Sequence, residues 1–216
     1  MSKTITLPDG TKCYSAPNCR KHFPAKNTST PQPVPAKDYI KISKTMSYLL
    51  RHQPDKAGIH LSDDGWVEVE ELVKKINQHS LVKPELTVND VIYVVANDNK
   101  QRYSIQDGRI RAVQGHSIKV NLGLTPQEPP TFLYHGTSVD TAPLIIGEGL
   151  KAMSRTHVHL SATVDTAITV GSRHGKPVVL IINASEAHRD GIKFYKADNG
   201  VWLADAIPNK YVRSDI

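Results

Sequence analysis

The sequence predicts an α+β chain of two lobes, a helical lobe that ends in a β-hairpin and a β-rich lobe behind it. Three observations predict it. Apolar residues recur at helical spacing through the first half, and short β-rich runs dominate the second. Two proline-containing stretches, TSTPQPVP at 28–35 and LTPQEPPT at 124–131, have the composition of linkers. Residues 1–37 read as a poorly ordered extension and linker, 38–123 as the first lobe and 131–216 as the second.

The elements follow in order. Ile42, Met46, Leu49 and Leu50 sit at helical spacing, so residues 39–52 are expected to be a helix that Pro54 stops. Asp63-Asp64-Gly65 reads as a turn and Trp66-Val67 as a short extended piece. Residues 67–76 are rich in Glu and Lys, with Val69, Leu72, Val73 and Ile76 on one face, and are expected to be helical. Thr87 can cap a third helix carrying Val88, Val91, Ile92 and Val95. Runs at 102–105 and 109–113 flank Asp107-Gly108, a strong hairpin signal. Three helices and a hairpin give the outline of a winged helix. In the second lobe, strands are expected at 132–135, 158–161, 177–183, 194–196 and 201–204, and helices at 140–148 and 164–171.

Bulk properties narrow the class. Hydrophobic content of 39%, charged content of 22% and a mean hydropathy of −0.36 fit a packed, water-soluble protein. No stretch approaches the roughly 20 apolar residues of a membrane span, and the N-terminal residues lack the apolar core of a secretory signal. Both cysteines, Cys13 and Cys19, lie in the extension, so the body uses no disulfides and a cytoplasmic location is expected. With His22 they form a C-x5-C-x2-H cluster one ligand short of a structural zinc site, so no metal is expected. A formal charge of +6 and a pI near 9.2 favour polyanionic partners.

Three separate segments offer an arginine beside a second basic or imidazole group. Arg51-His52 closes the first helix, where basic side chains also suit the macrodipole. Lys100 and Arg102 stand two apart at the start of the hairpin, which in a strand puts them on one face. Arg155 precedes a strand in which His157 and His159 share a face. Arginine's planar fork suits phosphate oxygens, and converging arginines are costly without an anion between them, which points to a phosphate clamp. Tyr134-His135-Gly136-Thr137-Ser138 reads as a strand end with a glycine and two hydroxyls, a turn that lets backbone approach a ligand. Neither GxGxxG nor GxxxxGK[ST] is present, which excludes the common dinucleotide and P-loop readings. The third helix, 87–97, is acidic and apolar, which argues against a purely groove-reading nucleic-acid binder.

In order, the stretches ISKTMSYLLRH (42–52), GWVEVEELV (65–73), KQRYSI (100–105), IRAVQGHS (110–117), LYHGTS (133–138), GLKAMSRTHVHLS (149–161), GSRHGKPVVL (171–180) and NGVWL (199–203) resemble the NAD⁺-dependent RNA 2′-phosphotransferases, which act in tRNA splicing in eukaryotes. The resemblance covers nearly all of 39–211 and leaves the extension out. It implies a winged-helix-like RNA-binding lobe followed by an ADP-ribosyltransferase-like NAD⁺-binding lobe. It also implies a monomer that uses NAD⁺ as co-substrate, takes RNA carrying a 2′-phosphate, and needs neither metal nor membrane. The family's catalytic Arg-His-Arg-Arg set would fall on Arg51, His52, Arg102 and Arg155. The His-His-hydrophobic triad of the transferase fold would fall on His135, His159 and Val201, with His157 the alternative second histidine. His135, Gly136, Thr137 and Ser138 would hold the ADP-ribose portion.

Overall fold

The computed structural model describes residues 5–6, 12–13 and 36–214, and the chain divides between Leu122 and Gly123 into two units. The architecture is α+β, with small antiparallel sheets and six α-helices among the described residues. Most of the expected extension, including Cys19 and His22 of the cysteine–histidine cluster, lies outside the described residues. Within it, Ile5–Thr6 (β1) and Lys12–Cys13 (β2) pair antiparallel. Among the described residues no helix is long and apolar enough to cross a membrane.

In the first unit, helix α1 spans Ala36–Arg51, three residues earlier than the apolar spacing indicated. The added turn carries Asp38, a favourable charge at a helix N-terminus. The apolar stripe is buried as expected: Met46 and Leu50 are fully enclosed, and truncating either to Ala would cost about 2–5 kcal/mol. A short 3-10 turn, Pro54–Ala57, follows, and Gly58 closes it in the left-handed region. Val67–Glu68 is strand β3 and Val69–Gln78 helix α2, so the helix expected from residue 67 begins two residues later. The hairpin captures the first two residues: Val67 pairs with Ile110 and Glu68 with Arg109. Helix α3, Val88–Ala96, opens with a full capping box between Thr87 and Asp90. Strands β4 (Tyr103–Gln106) and β5 (Arg109–Ala112) meet at Asp107 and Gly108, both at positive φ as a tight hairpin turn requires. The sheet order is β3-β5-β4, and Leu72, Ile76, Val91, Val94 and Ile110 close the core between it and the helices.

In the second unit, β6 spans Phe132–Ser138, α4 Ala142–Glu148, β7 Leu150–Lys151 and β8 Val158–Leu160. Next come α5 (Val164–Gly171), β9 (Pro177–Asn183), α6 (Ala184–Arg189) and β10 (Phe194–Lys196). The unit ends with β11 (Trp202–Ala204), β12 (Ala206–Ile207) and β13 (Val212–Ser214). Three ladders result, ordered β13-β9-β6, β10-β11-β8 and β12-β7. Tyr134 and Ser161 exchange backbone hydrogen bonds of 2.9 and 2.7 Å, which joins β6 to the end of β8.

Residues 136–138 are not a turn, because β6 runs on through Ser138 in register with β9. Gly136 answers to packing: a Cβ there would lie 1.7 Å from the carbonyl oxygen of Ala167 in α5. Gly171 closes the same crossing, since its Cβ would lie 2.7 Å from Thr137 O. Two glycines thus let α5 rest directly on β6.

Candidate active site

The first unit holds three of the expected clamp residues, Arg51 and His52 at the end of α1 and Arg102 just before β4. Tyr103 ties the hairpin to that helix: its buried hydroxyl donates to the Ser43 carbonyl at 2.6 Å and stands 2.8 Å from Ser47 Oγ. Burial pushes this phenol up, and the nearby Arg51 charge acts in the opposite direction. Arg102, the preceding residue, is thereby fixed beside α1. It does not point as strand alternation predicts. Gln101 adopts positive φ and the strand starts only at Tyr103, so Lys100 and Arg102 obey no two-residue period. The Arg102 guanidinium instead pairs with the carboxylate of Asp98, whose side chain is only 3% exposed. Asp98 also accepts the backbone N–H groups of Arg102 at 2.6 Å and Lys100 at 3.3 Å.

The stretch after β5 completes this corner. Val113 N–H donates to Arg102 O at 2.9 Å, which extends the ladder one step. Gly115, at φ +89°, then lies beside the Arg51 side chain, where a Cβ would stand in ordinary contact with Nη1 at 3.5 Å and Cζ at 3.6 Å. Ser117 N–H donates to Arg51 O at 2.9 Å, and Ser117 Oγ lies 2.9 Å from His52 Nδ1. With Nδ1 held by the hydroxyl, His52 can turn an Nε2–H donor toward an anion. One five-residue segment therefore seats Arg51, His52 and the start of the Arg102 strand. Sequence reading assigned no role to Asp98, Gly115 or Ser117.

The second unit gathers the two histidines. His135 on β6 lies with Nδ1 3.0 Å from His159 O of β8, so Nδ1–H donates and Nε2 keeps a lone pair. Burial lowers the His135 pKa; the His159 carbonyl contact opposes this, and the nearby His174 adds to it. The ring is therefore a neutral acceptor at pH 7. His159 stands opposite Leu203 in the β8–β11 ladder, and alternation puts Val201, just before β11, on that same face. His157 is engaged otherwise. Its ring meets Tyr195 edge-on at 5.8 Å, and its Nε2 lies 3.7 Å from Asp205.

Thr137 and Ser138 are buried, and the Ser138 hydroxyl lies 3.0 Å from that of Thr141. Arg155 is exposed on the turn before β8, its backbone N–H bonded to Ala152 O at 3.0 Å. Among the described residues no group of three or more His, Cys, Asp or Glu could hold a metal ion.

Comparison with known proteins identifies the family. A family model described as "RNA 2′-phosphotransferase, Tpt1 / KptA family" matches residues 37–206. A protein of Agrobacterium fabrum named "Probable RNA 2′-phosphotransferase" is 48% identical over 172 residues, covering 79% of this chain and 91% of its own. Proteins of the same name from Trichormus variabilis and Streptomyces griseus are 46% and 43% identical, over 80% of this chain and 94% and 95% of theirs.

Proposed function

Because the chain belongs to the RNA 2′-phosphotransferase, Tpt1/KptA family, we propose that this transferase removes an internal 2′-phosphate from RNA by passing it to NAD⁺. The observation that carries the reading is the Arg51–His52–Arg102 corner, where cationic and donor groups are seated by Gly115, Ser117 and Asp98. Guanidinium and imidazole donors held in advance suit a phosphate whose charge must be positioned without being quenched. In this reading the first unit is a winged-helix-like RNA-binding lobe and the second an ADP-ribosyltransferase-like NAD⁺-binding lobe.

The His135 corner fits the other substrate. NAD⁺ brings a cationic nicotinamide ring, which a protonated imidazole would repel. Neutral His135 avoids that repulsion, and its Nε2 can accept a hydrogen bond from a ribose hydroxyl. His159 and Val201 offer one face beside it, and the engagement of His157 with Tyr195 and Asp205 favours His159 as the second histidine. Gly136, Thr137 and Ser138 fix β6 against α5, so that the ADP-ribose portion meets a rigid edge.

The reaction takes two steps. A 2′-phosphate oxygen attacks C1″ of the nicotinamide ribose, and the glycosidic C–N bond breaks to release nicotinamide. The ribose 2″-hydroxyl then attacks phosphorus, the bond to the RNA 2′-oxygen breaks, and that oxygen takes up the proton. The products are RNA with a free 2′-hydroxyl and ADP-ribose 1″,2″-cyclic phosphate. Arg51, His52 and Arg102 hold the phosphate in both steps, and Arg155 stabilises the charge that develops on the phosphoryl oxygens in the second.

The test is mass spectrometry of a 2′-phosphorylated oligoribonucleotide incubated with protein and NAD⁺. Loss of the phosphate with appearance of the cyclic phosphate is expected. RNA that keeps its phosphate, or keeps ADP-ribose as the end product, overturns the reading.

A further inference from the structure

The exposed face of α1 leads directly to the Arg51–His52 corner, and its composition is one-sided. From residue 39 to residue 52 the chain contains no Asp or Glu. The side chains turned away from the core include Lys41, Lys44 and Tyr48, at the spacing that stacks residues along one helix face. Tyr48 is 40% exposed although it is aromatic and flanked by fully buried Met46 and Leu49. Its ring lies 6.5 Å from that of His52, tilted by 49°, and Lys56 Nζ stands 5.3 Å from its centroid. The carboxylates nearest in sequence flank this stretch: Asp38 in the first turn, and Asp55 in the turn that follows.

We propose that this face is a single-stranded RNA track, in which Tyr48 stacks a nucleobase next to the 2′-phosphorylated nucleotide and Lys41, Lys44 and Lys56 meet backbone phosphates. The inference rests on the RNA 2′-phosphotransferase reading for the identity of the polyanion. Exposed tyrosine beside lysines matches single-strand recognition, where aromatic rings stack bases and cations follow the backbone. Lys41 to Arg51 spans about 15 Å along the helix axis, enough to engage nucleotides flanking the reacting one. Lys56 lies over the ring; a bound base would replace that contact and leave the ammonium for a phosphate.

The experiment is fluorescence anisotropy with the full chain and a single-stranded oligoribonucleotide lacking any 2′-phosphate, across a salt series. Lys41→Ala/Lys44→Ala should flatten the slope of log affinity against log salt by about 1.4, the effect of losing two contacts to a single strand. Tyr48→Ala should weaken binding about tenfold with no change in slope, and Tyr48→Phe should retain it. Lys74→Ala/Lys83→Ala, which removes lysines elsewhere on the unit, should leave the slope as it was. Wild-type affinity and slope in the Lys41/Lys44 variant, or an equal flattening in the control, overturns the track. Tyr48→Ala that binds as tightly as wild type overturns the stacking role. If the protein binds RNA in this way but removes no 2′-phosphate, the enzymatic reading fails and the track stands.

Discussion

The corner around Arg51 and the corner around His135 solve opposite electrostatic problems. The first assembles cationic groups in a half-buried setting and must keep them from dispersing before a substrate arrives. It does so with local partners: Asp98 against Arg102, the Gly115 backbone against Arg51, and the Ser117 hydroxyl against His52. The second buries an imidazole and keeps it uncharged, with a single carbonyl to orient it. Under the proposed function each corner suits a different substrate. A site for a phosphate dianion needs charge held in advance, whereas a site for a cationic nicotinamide ring needs that charge absent.

The comparison breaks most sharply at the arginines. Arg102→Ala or Arg155→Ala should slow the phosphoryl step by about 10²–10³-fold, the usual cost of removing one preorganised charge stabiliser. ADP-ribosylated RNA should then accumulate, visible by mass spectrometry as an adduct heavier than the substrate. Normal turnover in both variants would mean that neither arginine belongs to the clamp.

A smaller effect is expected one contact further out. Asp98→Asn keeps the size of the side chain and removes the charge that pairs with Arg102, so the guanidinium loses its anchor while Tyr103 stays bolted to α1. Catalytic turnover should fall about tenfold, in line with losses seen when outer partners of a site are changed, while affinity for NAD⁺ is unchanged. Loss of NAD⁺ affinity in this variant would show that the two corners are not separable in function.

Ser117→Ala tests the other anchor. His52 keeps its place on the helix and loses the hydroxyl that fixes Nδ1. A fall in turnover of roughly three- to tenfold is expected, about the worth of one hydrogen bond, with Ser117→Thr restoring it. A Thr variant as slow as the Ala variant would assign Ser117 to packing and not to ring orientation.

The contrast between these two anchors also explains what the sequence could disclose. Asp98 lies four residues before Arg102, a spacing at which a local ion pair can be suspected from the chain alone. Ser117 lies 65 residues from His52, and only the fold of the stretch after β5 brings them together. The first helix and the Asp107-Gly108 hairpin were legible because periodicity and turn chemistry are local. The strand at Val67–Glu68 was legible only in part: Trp66-Val67 read as extended, but Glu68 read as helix, because pairing with Arg109 and Ile110 overrides a helical composition. The turn expected at Gly136 failed for the same reason: a glycine after a strand signals close approach, but the sequence does not say that α5 packs there while β6 runs on. The Arg51–His52 pair could be found at a helix end, but its seat against Gly115 could not.

The smallest expected effect separates the corners by pH. His135 has a pKa depressed below the ordinary imidazole value of 6.5, chiefly by burial. Between the depressed folded value and 6.5 the unfolded chain binds more protons at this site than the folded one, so stability rises with pH across that window. The contribution is fully present above 6.5, is lost as pH falls toward the folded value, and levels off below it. A melting-temperature drop of a few degrees on acidification from pH 7 should therefore shrink in His135→Gln, which cannot take up the proton. The same substitution should leave RNA affinity unchanged at pH 7, since the corner proposed to hold RNA lies in the other unit. An unaltered pH dependence of melting in His135→Gln would mean that His135 is not the buried neutral group, and that the charge contrast between the corners has another source.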